Sequence, residues 1–201
     1  MPLIETTYLG LAVWAIAGYL LGSIPFGMIM ARAMGLGNLR EIGSGNIGAT
    51  NVLRTGNKKA AALTLLFDAG KGAVIVLLAR KFAAEDAAQI AGLAAFIGHC
   101  FPVWLKFKGG KGVATYFGLM IALSPIVGLG AGAIWIVVAA ISRYSSLAAM
   151  LAAGWAPLIV VTRTDGQLLI LSLALALLIY FRHAANIGRL RRGVETKIGQ
   201  K

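Results

Sequence analysis

The chain has 201 residues, of which 59% are hydrophobic and 13% are charged, and its mean hydropathy is +0.82. Soluble domains carry roughly 25% charged residues, so this chain has too few polar side chains to cover a surface in water. We therefore expect one integral membrane domain over residues 1–201. The net charge of +12 does not indicate nucleic acid binding, because the basic residues lie in short gaps between apolar runs, without interleaved aromatic residues.

Long apolar segments predict an all-α membrane protein. A hydrocarbon core of about 30 Å needs roughly 20 helical residues, and residues 113–141 would overshoot that thickness as one straight helix. Ser124 and Pro125 lie inside this run, and proline breaks the interior of a helix, so we divide the run there. The predicted seven transmembrane helices cover residues 9–30, 60–78, 87–105, 113–123, 126–141, 147–161 and 168–180.

The distribution of lysine and arginine predicts the orientation. No basic residue precedes the first span, so no signal peptide is expected and that span should begin outside the cell. Seven spans place fifteen basic residues in the inner gaps and the C-terminal tail and three in the outer gaps, whereas six spans give a tie. We therefore predict an outside N-terminus, a cytoplasmic C-terminus and the cell inner membrane. Residues 113–123 are short for a full crossing, and a half-helix stays open as an alternative.

The first polar segment, residues 43–54, reads GSGNIGATNVLR. Its glycines allow positive φ and close approach to a ligand, and successive N–H groups in such a turn can bind an anion. Arg54 adds a charge that can hold a phosphate by two parallel hydrogen bonds. A flexible connecting loop is the alternative, but the ordered set that ends in arginine favours function. Thr50 or Asn51 could cap a short helix whose N-terminus also attracts anions.

The second polar segment covers residues 98–112. Lys108 and Lys111 bracket two glycines, so two cations flank a backbone that can wrap an oxyanion. The segment is not a Walker A loop, because Gly112 stands where Ser or Thr is required. Lys106 fits an ordinary positive inner loop, and His99, alone on an apolar run, is expected to be structural.

The third polar segment covers residues 182–197, where the last span leaves the membrane. His183 and Asn186 are three residues apart, so one helix face can present both to a hydroxyl or a leaving oxygen. Arg189, Arg191 and Arg192 are expected, for the most part, to attract anionic headgroups. Elsewhere, Asp68 and Lys71 predict a structural ion pair within a span, and Ser145 and Ser146 could cap a helix or bind substrate.

These three segments resemble the three signature motifs of the bacterial acyl-phosphate:glycerol-3-phosphate acyltransferase family, in order and spacing. The resemblance covers almost the whole chain and implies acyl transfer from a fatty acyl phosphate to the 1-hydroxyl of glycerol 3-phosphate, giving lysophosphatidic acid and phosphate. It implies no metal and no organic cofactor. The implied partners are both substrates, membrane lipid and the enzyme that makes acyl phosphate. Glu195 would support structure.

The candidate site residues combine the family resemblance with the residue chemistry. By the resemblance, residues 108–112 would hold glycerol 3-phosphate. The catalytic candidates are Ser44, Arg54, His183 and Asn186. The substrate-binding candidates are Gly45, Asn46, Asn51, Lys108, Gly109, Gly110, Lys111, Gly112, Ser145 and Ser146.

The chemistry of an acyl phosphate suits such residues. Phosphate leaves readily from a mixed anhydride, so no covalent intermediate is needed, and positioning and charge stabilisation dominate. His183 or a substrate phosphate oxygen would accept the proton of the attacking hydroxyl, and we favour an orienting role for His183.

Three other activities remain possible at this stage. A thioester-dependent acyltransferase would use an H-x-x-x-x-D motif, but Trp104 and Gly188 stand where His99 and His183 would need aspartate. An organic-anion carrier or channel would use similar basic loops and broken helices. A headgroup transferase would need clustered aspartates, and Asp68 and Asp165 are far apart in sequence.

Overall fold

The structure is a computed structural model that describes residues 2–200, and all regular secondary structure within that range is helical. A 3₁₀ turn covers Val103–Leu105. The α-helices are α1 Tyr8–Gly22, α2 Phe26–Ala33, α3 Ala49–Leu53, α4 Lys58–Phe82, α5 Glu85–Cys100, α6 Val113–Leu123, α7 Pro125–Ser142, α8 Ser145–Arg163, α9 Leu169–Arg182 and α10 Ala184–Arg191.

The predicted break at Ser124 and Pro125 is confirmed. Helix α6 ends at Leu123, and Pro125 takes the first position of α7, where its missing N–H is not needed. Arg80 donates hydrogen bonds to the carbonyl oxygens of Ala122 at 2.7 Å and Leu123 at 2.9 Å. Its guanidinium therefore satisfies carbonyl groups that the end of α6 leaves without helical partners.

Two other predicted segments are not single α-helices, and proline explains both interruptions. The run over residues 9–30 is not one helix, because α1 ends at Gly22 and α2 begins after Pro25. The third run does not continue as an α-helix to Leu105. Helix α5 ends at Cys100, ahead of Pro102, and the 3₁₀ turn follows.

Five segments are long and apolar enough to cross a membrane, by length and composition. They are Tyr8–Ala33, which takes α1 and α2 together, Lys58–Phe82, Glu85–Leu105, Pro125–Ser142 and Ser145–Arg163. Helices α9 and α10 form a sixth candidate that is bent by 60°. Helix α6 has 11 residues and a length of about 17 Å, so it is shorter than the hydrocarbon core.

Glycines bring the helices close together. A Cβ at Gly18 or Gly22 of α1 would overlap the backbone of α5, and a Cβ at Gly118 of α6 would overlap the backbone carbonyl of Ala69 in α4. Small residues permit this close helix packing where lipid supplies no hydrophobic driving force. The outward faces stay apolar, with Ile141 and Leu177 among the most exposed large side chains.

Candidate active site

A cavity of about 930 Å³ lies where the three polar segments meet. Its wall comes from the loop before α3, from α4, α6 and α7, from the start of α8, and from the chain after α9. Ten of the fourteen candidate site residues line it: Ser44, Asn46, Asn51, Arg54, Lys111, Gly112, Ser145, Ser146, His183 and Asn186. The other four, Gly45, Lys108, Gly109 and Gly110, lie outside this wall.

The side chain of Asn51 organises the first polar loop. Its amide nitrogen donates to the carbonyl oxygens of Leu39 at 3.0 Å and Asn46 at 2.7 Å, and its oxygen accepts from the backbone N–H of Ser44 at 3.0 Å. Asn51 is buried and its amide is occupied by the loop itself, so in this arrangement it shapes the site. Neither Thr50 nor Asn51 caps α3; that expectation is wrong, because Gly48 occupies the N-cap position.

Gly43 makes room for the guanidinium of Arg54. The backbone at Gly43 has a φ of +53°, and a Cβ there would lie 2.7 Å from Arg54 Nη1. Both the positive φ and the close approach of the Arg54 side chain therefore favour glycine at this position. Arg54 ends α3 beside this turn and lines the cavity.

The glycines of the second loop are bonded within the protein. The N–H groups of Gly109 and Gly110 donate to the carbonyl oxygens of Cys100 at 3.1 Å and His99 at 3.0 Å. These two N–H groups are therefore not free to bind an anion in this arrangement. Lys108 is exposed outside the cavity, whereas Lys111 and Gly112 line it.

Arg40 connects the first two polar loops. Its guanidinium donates to the carbonyl oxygen of Gly45 at 3.2 Å and to that of Lys108. Gly45 and Lys108 thus take part in the contact between loops through their backbones.

A chain of hydrogen bonds, here called the loop network, joins the second polar segment to the third and to α8. Lys111 Nζ donates to Asn186 Oδ1 at 2.5 Å, and Asn186 Nδ2 donates to Glu195 Oε1 at 2.5 Å. Ser146 Oγ donates to the same carboxylate oxygen at 2.7 Å, and Arg189 Nε donates to Glu195 Oε2 at 2.6 Å. Glu195 is the shared acceptor, which agrees with the structural role expected for it.

The sequence analysis did not predict that two arginines of the third polar segment bond to other parts of the protein. Arg189 was expected to attract lipid headgroups, but it bonds to Glu195. Arg182 donates to the carbonyl oxygens of Gly110 at 3.1 Å and Gly109 at 3.3 Å. The only available signal was Glu195 itself, a lone acid that follows a basic run.

The ionisation of this region favours bound anions. Burial lowers the pKa of Lys111 to about 8; Glu195 opposes the shift, while Arg189, Arg182 and Arg54 add to it. Burial would raise the pKa of Glu195, but the hydrogen bonds from Ser146, Asn186 and Arg189 outweigh burial and lower it. The cavity wall has five basic side chains (Arg54, Lys58, Lys111, Arg189 and Lys197) and two acidic ones (Asp68 and Glu195), a cationic surplus.

His183 lies between α9, which ends at Arg182, and α10, which begins at Ala184. Its Nδ1 is 2.8 Å from the carbonyl oxygen of Ile179, a contact that requires the proton on Nδ1. Burial, followed by the nearby charge of Lys111, lowers the pKa of His183 to about 4. The ring is therefore neutral at pH 7, with Nε2 available as an acceptor.

A second polar group, here called the buried cluster, lies deeper in the protein. Lys71 Nζ is 2.8 Å from Asp68 Oδ1, so the predicted ion pair is confirmed. His99 Nδ1 is 3.5 Å from the same oxygen, and Lys71 also donates to the carbonyl oxygen of Ile24 at 2.8 Å. Asp68 and His99 line the cavity as well, which the sequence analysis did not foresee.

Between the helices, the wall of the cavity is mostly apolar. This apolar part includes Ala61, Ala62 and Leu65 of α4, Ala114 and Phe117 of α6, and Trp135 and Ile136 of α7. One cavity therefore combines cationic loops with an apolar surface between helices. Among residues 2–200, no three His, Cys, Asp or Glu side chains are grouped so that they could hold a metal ion.

A family profile described as glycerol-3-phosphate acyltransferase matches residues 12–193. The chain belongs to this family. Curated relatives called glycerol-3-phosphate acyltransferase include those of Ruegeria sp. (strain TM1040), 62% identical, and Jannaschia sp. (strain CCS1), 59% identical. Both alignments cover 100% of this chain, with 100% and 98% of the respective relatives.

Two crystal structures have the same fold over most of the chain. Both are of PlsY, an integral membrane glycerol 3-phosphate acyltransferase, in its glycerol 3-phosphate form and its lysophosphatidic acid form. The first is 39% identical with a TM-score of 0.87 and covers 94% of this chain and 96% of the other; the second is 38% identical with a TM-score of 0.85 and covers 94% and 95%. The protein is therefore a multi-pass membrane enzyme of this acyltransferase family.

Proposed function

We propose that the protein transfers a fatty acyl group from acyl phosphate to the 1-hydroxyl of glycerol 3-phosphate. The products are lysophosphatidic acid and phosphate, and the reaction starts phospholipid synthesis. The observation that carries the proposal is the composition of the cavity: five basic side chains stand near an apolar wall between α4, α6 and α7. Two phosphate groups need the cations, and a fatty acyl chain needs the apolar wall.

In the proposed site, Lys111 and Arg54 bind phosphate groups, and Ser44 and Asn186 complete the polar contacts. Lys111 is half-buried, with its ammonium held by Asn186, so its direction is fixed before substrate arrives. Ser44 lies in the loop that Asn51 shapes, beside the turn that accommodates Arg54. Such fixed charges stabilise the charge that develops on the leaving phosphate.

The proposed reaction is a direct transfer. The 1-hydroxyl oxygen of glycerol 3-phosphate attacks the acyl carbonyl carbon, and the bond from that carbon to the phosphate oxygen breaks. Phosphate leaves with the electron pair, and the hydroxyl proton goes to a phosphate oxygen. His183 accepts a hydrogen bond from the hydroxyl at Nε2 and orients it; with a pKa of about 4, its ring is too weak a base to hold the proton at pH 7.

The proposed topology has seven crossings in one domain, residues 1–201, with the N-terminus outside and the cavity facing the cytoplasm. In this topology α6 and α7 are two separate crossings, and the break between them at Ser124 lies on the outer side. The excess of basic residues in the gaps assigned to the inside supports this orientation. Labelling of single cysteines at positions 44, 111 or 186 by an impermeant reagent outside intact cells would contradict it.

The proposed location is the cell inner membrane, where acyl phosphate enters sideways from the lipid and glycerol 3-phosphate from the cytoplasm. The enzyme that makes acyl phosphate is the proposed functional partner. No metal or organic cofactor is required in this scheme, because the mixed anhydride is already activated. Activity that persists in a chelator would support this part of the proposal.

The deciding experiment compares acyl donors. Purified protein receives glycerol 3-phosphate with acyl phosphate, acyl coenzyme A or acyl carrier protein, each without added metal. We expect lysophosphatidic acid from acyl phosphate alone. Product from a thioester alone would replace the proposed donor, and counterflow of glycerol 3-phosphate in liposomes without any product would favour a carrier.

Arg54→Ala and His183→Ala test the site assignment in the same assay. Both should lose turnover, by about 10²-fold or more for Arg54→Ala, while the protein stays folded. Arg163→Ala is the matched control, because Arg163 is an exposed arginine at the end of α8 that lies outside the cavity wall. Normal rates in Arg54→Ala and His183→Ala would refute the assignment.

A further inference from the structure

Arg182 occupies an unusual position between two parts of the site. It is the last residue of α9, next to His183, yet its side chain reaches back to the second polar loop. Nε donates to the carbonyl oxygen of Gly110 at 3.1 Å and Nη2 donates to that of Gly109 at 3.3 Å. One planar guanidinium thus holds two consecutive carbonyl groups directly before Lys111.

The ring of Phe101 fixes the guanidinium from another side. Arg182 Cζ lies 5.0 Å from the centroid of that ring, within the range of a cation–π contact. Phe101 follows the last residue of α5, so the guanidinium contacts the start and the end of the same connection between α5 and α6. A planar fork that both stacks and bonds is a property of arginine that lysine lacks.

The loop has no room to adopt another path easily. The N–H groups of Gly109 and Gly110 donate to the carbonyl oxygens of Cys100 and His99, while their own carbonyl oxygens accept from Arg182. A Cβ at Gly110 would overlap the ring of His99. The segment before Lys111 is therefore bonded on both edges, and Arg182 supplies the bonds on the edge that faces the third polar segment.

We propose that Arg182 is a positioning residue that holds Lys111 in register with His183 and Asn186 through the carbonyl groups of Gly109 and Gly110. This inference rests on the proposed role of Lys111 as a phosphate ligand. Because Lys111 Nζ bonds to Asn186 on α10, the loop contacts the chain on both sides of His183: through Arg182 before it and through Asn186 after it. Loss of the first contact leaves the side chain of Lys111 as the remaining one of these two contacts.

The charge of Arg182 has an effect separate from its hydrogen bonds. Burial is the largest cause of the lowered pKa of Lys111. Among the charged groups, Glu195 raises this pKa, and Arg189, Arg182 and Arg54 lower it; the neutral ring of His183 lies beside them. Removal of the positive charge at position 182 should therefore raise the pKa of Lys111. A variant that keeps the charge lacks this effect, so the pKa of Lys111 should be lower in it than in a variant without the charge.

The experiment uses Arg182→Lys, Arg182→Gln and the control Arg191→Gln, an exposed arginine on α10 outside the cavity wall. Hydrogen–deuterium exchange of a peptide that covers residues 101–112 reports the loop directly, without any substrate. We expect faster exchange of this peptide in both Arg182 variants and unchanged exchange in Arg191→Gln. Because no acyl donor is present, this result is independent of whether acyl phosphate is the donor.

Kinetics and pH profiles then distinguish the effect of the two hydrogen bonds of Arg182 from the effect of its positive charge. Both Arg182 variants should raise KM for glycerol 3-phosphate by roughly tenfold to hundredfold, with a smaller change in kcat, because Lys111 is displaced. The pH above which KM for glycerol 3-phosphate begins to rise should be higher in Arg182→Gln than in Arg182→Lys, because only the glutamine variant loses the positive charge. Wild-type exchange in the peptide, or faster exchange throughout the protein with a proportionate fall in thermal stability, would overturn the proposal.

Discussion

The buried cluster and the loop network contain similar acidic and basic residues but differ in how their charges are balanced. In the buried cluster, Asp68 and Lys71 are almost fully buried and neutralise each other, and Lys71 finds its remaining partner in a backbone carbonyl. In the loop network, one carboxylate, Glu195, accepts from Ser146, Asn186 and Arg189, and cations around it remain in excess. The neutralised pair suits a contact between helices within the membrane, and the cationic surplus suits a site that binds anions.

The largest effect is expected when the charge balance of the buried cluster is removed. Asp68→Ala leaves the ammonium of Lys71 uncompensated within α4, so the free energy of unfolding should fall by about 3–5 kcal/mol. Thermal unfolding in detergent measures this, and Asp68→Leu combined with Lys71→Met should recover most of the loss. Asp165→Ala, at an exposed aspartate, is the control. Equal stability of Asp68→Ala and the control would remove the proposed distinction between the two groups.

The next effect concerns binding rather than stability. Lys111→Met removes the cation of the loop network but keeps an unbranched side chain, so KM for glycerol 3-phosphate should rise about 10²-fold with little change in thermal stability. Lys106→Met, in the same connection but exposed outside the cavity, should behave as wild type. If Lys111→Met instead unfolds the protein at unchanged KM, the loop network is structural.

Much of the fold follows from the sequence because lipid imposes simple requirements. Each of the seven predicted segments contains a helix, and Pro125 divides the long fourth run as expected. Pro25 and Pro102 also interrupt helices, but the apolar composition continues across both, so composition alone does not indicate these breaks. Length alone cannot tell whether α6 crosses the membrane, since neighbouring helices can shield a short helix from lipid.

The candidate site was predictable in its residue types and less so in their contacts. Glycines and basic residues in three loops indicated an anion site, and ten of fourteen candidates line one cavity. The sequence does not show which loop residues line the cavity and which bond within the protein, because this depends on contacts between residues far apart in sequence. Arg182 bonds to Gly110, 72 residues away, and Glu195 bonds to Ser146, 49 residues away.

A moderate effect is expected from pH. Because burial and the neighbouring arginines lower the pKa of Lys111 to about 8, the ammonium is present below pH 8 and is lost above it. KM for glycerol 3-phosphate should therefore rise by up to about tenfold per pH unit above pH 8. Lys111→Arg keeps its charge throughout this range and should remove the limit. An unchanged alkaline limit in Lys111→Arg would assign it to another group.

The smallest effect is expected at Arg40, which joins the first two loops from the exposed side. Its hydrogen bonds go to the carbonyl oxygens of Gly45 and Lys108, and water can replace an exposed donor at both. Arg40→Ala should therefore cost no more than about 1 kcal/mol, seen as a rise of KM by roughly threefold at unchanged thermal stability. Arg182 makes the equivalent contact from a half-buried position, where water is a poorer substitute, so its loss should cost more. Equal losses in Arg40→Ala and Arg182→Ala, measured by KM for glycerol 3-phosphate, would mean that burial does not distinguish the two arginines.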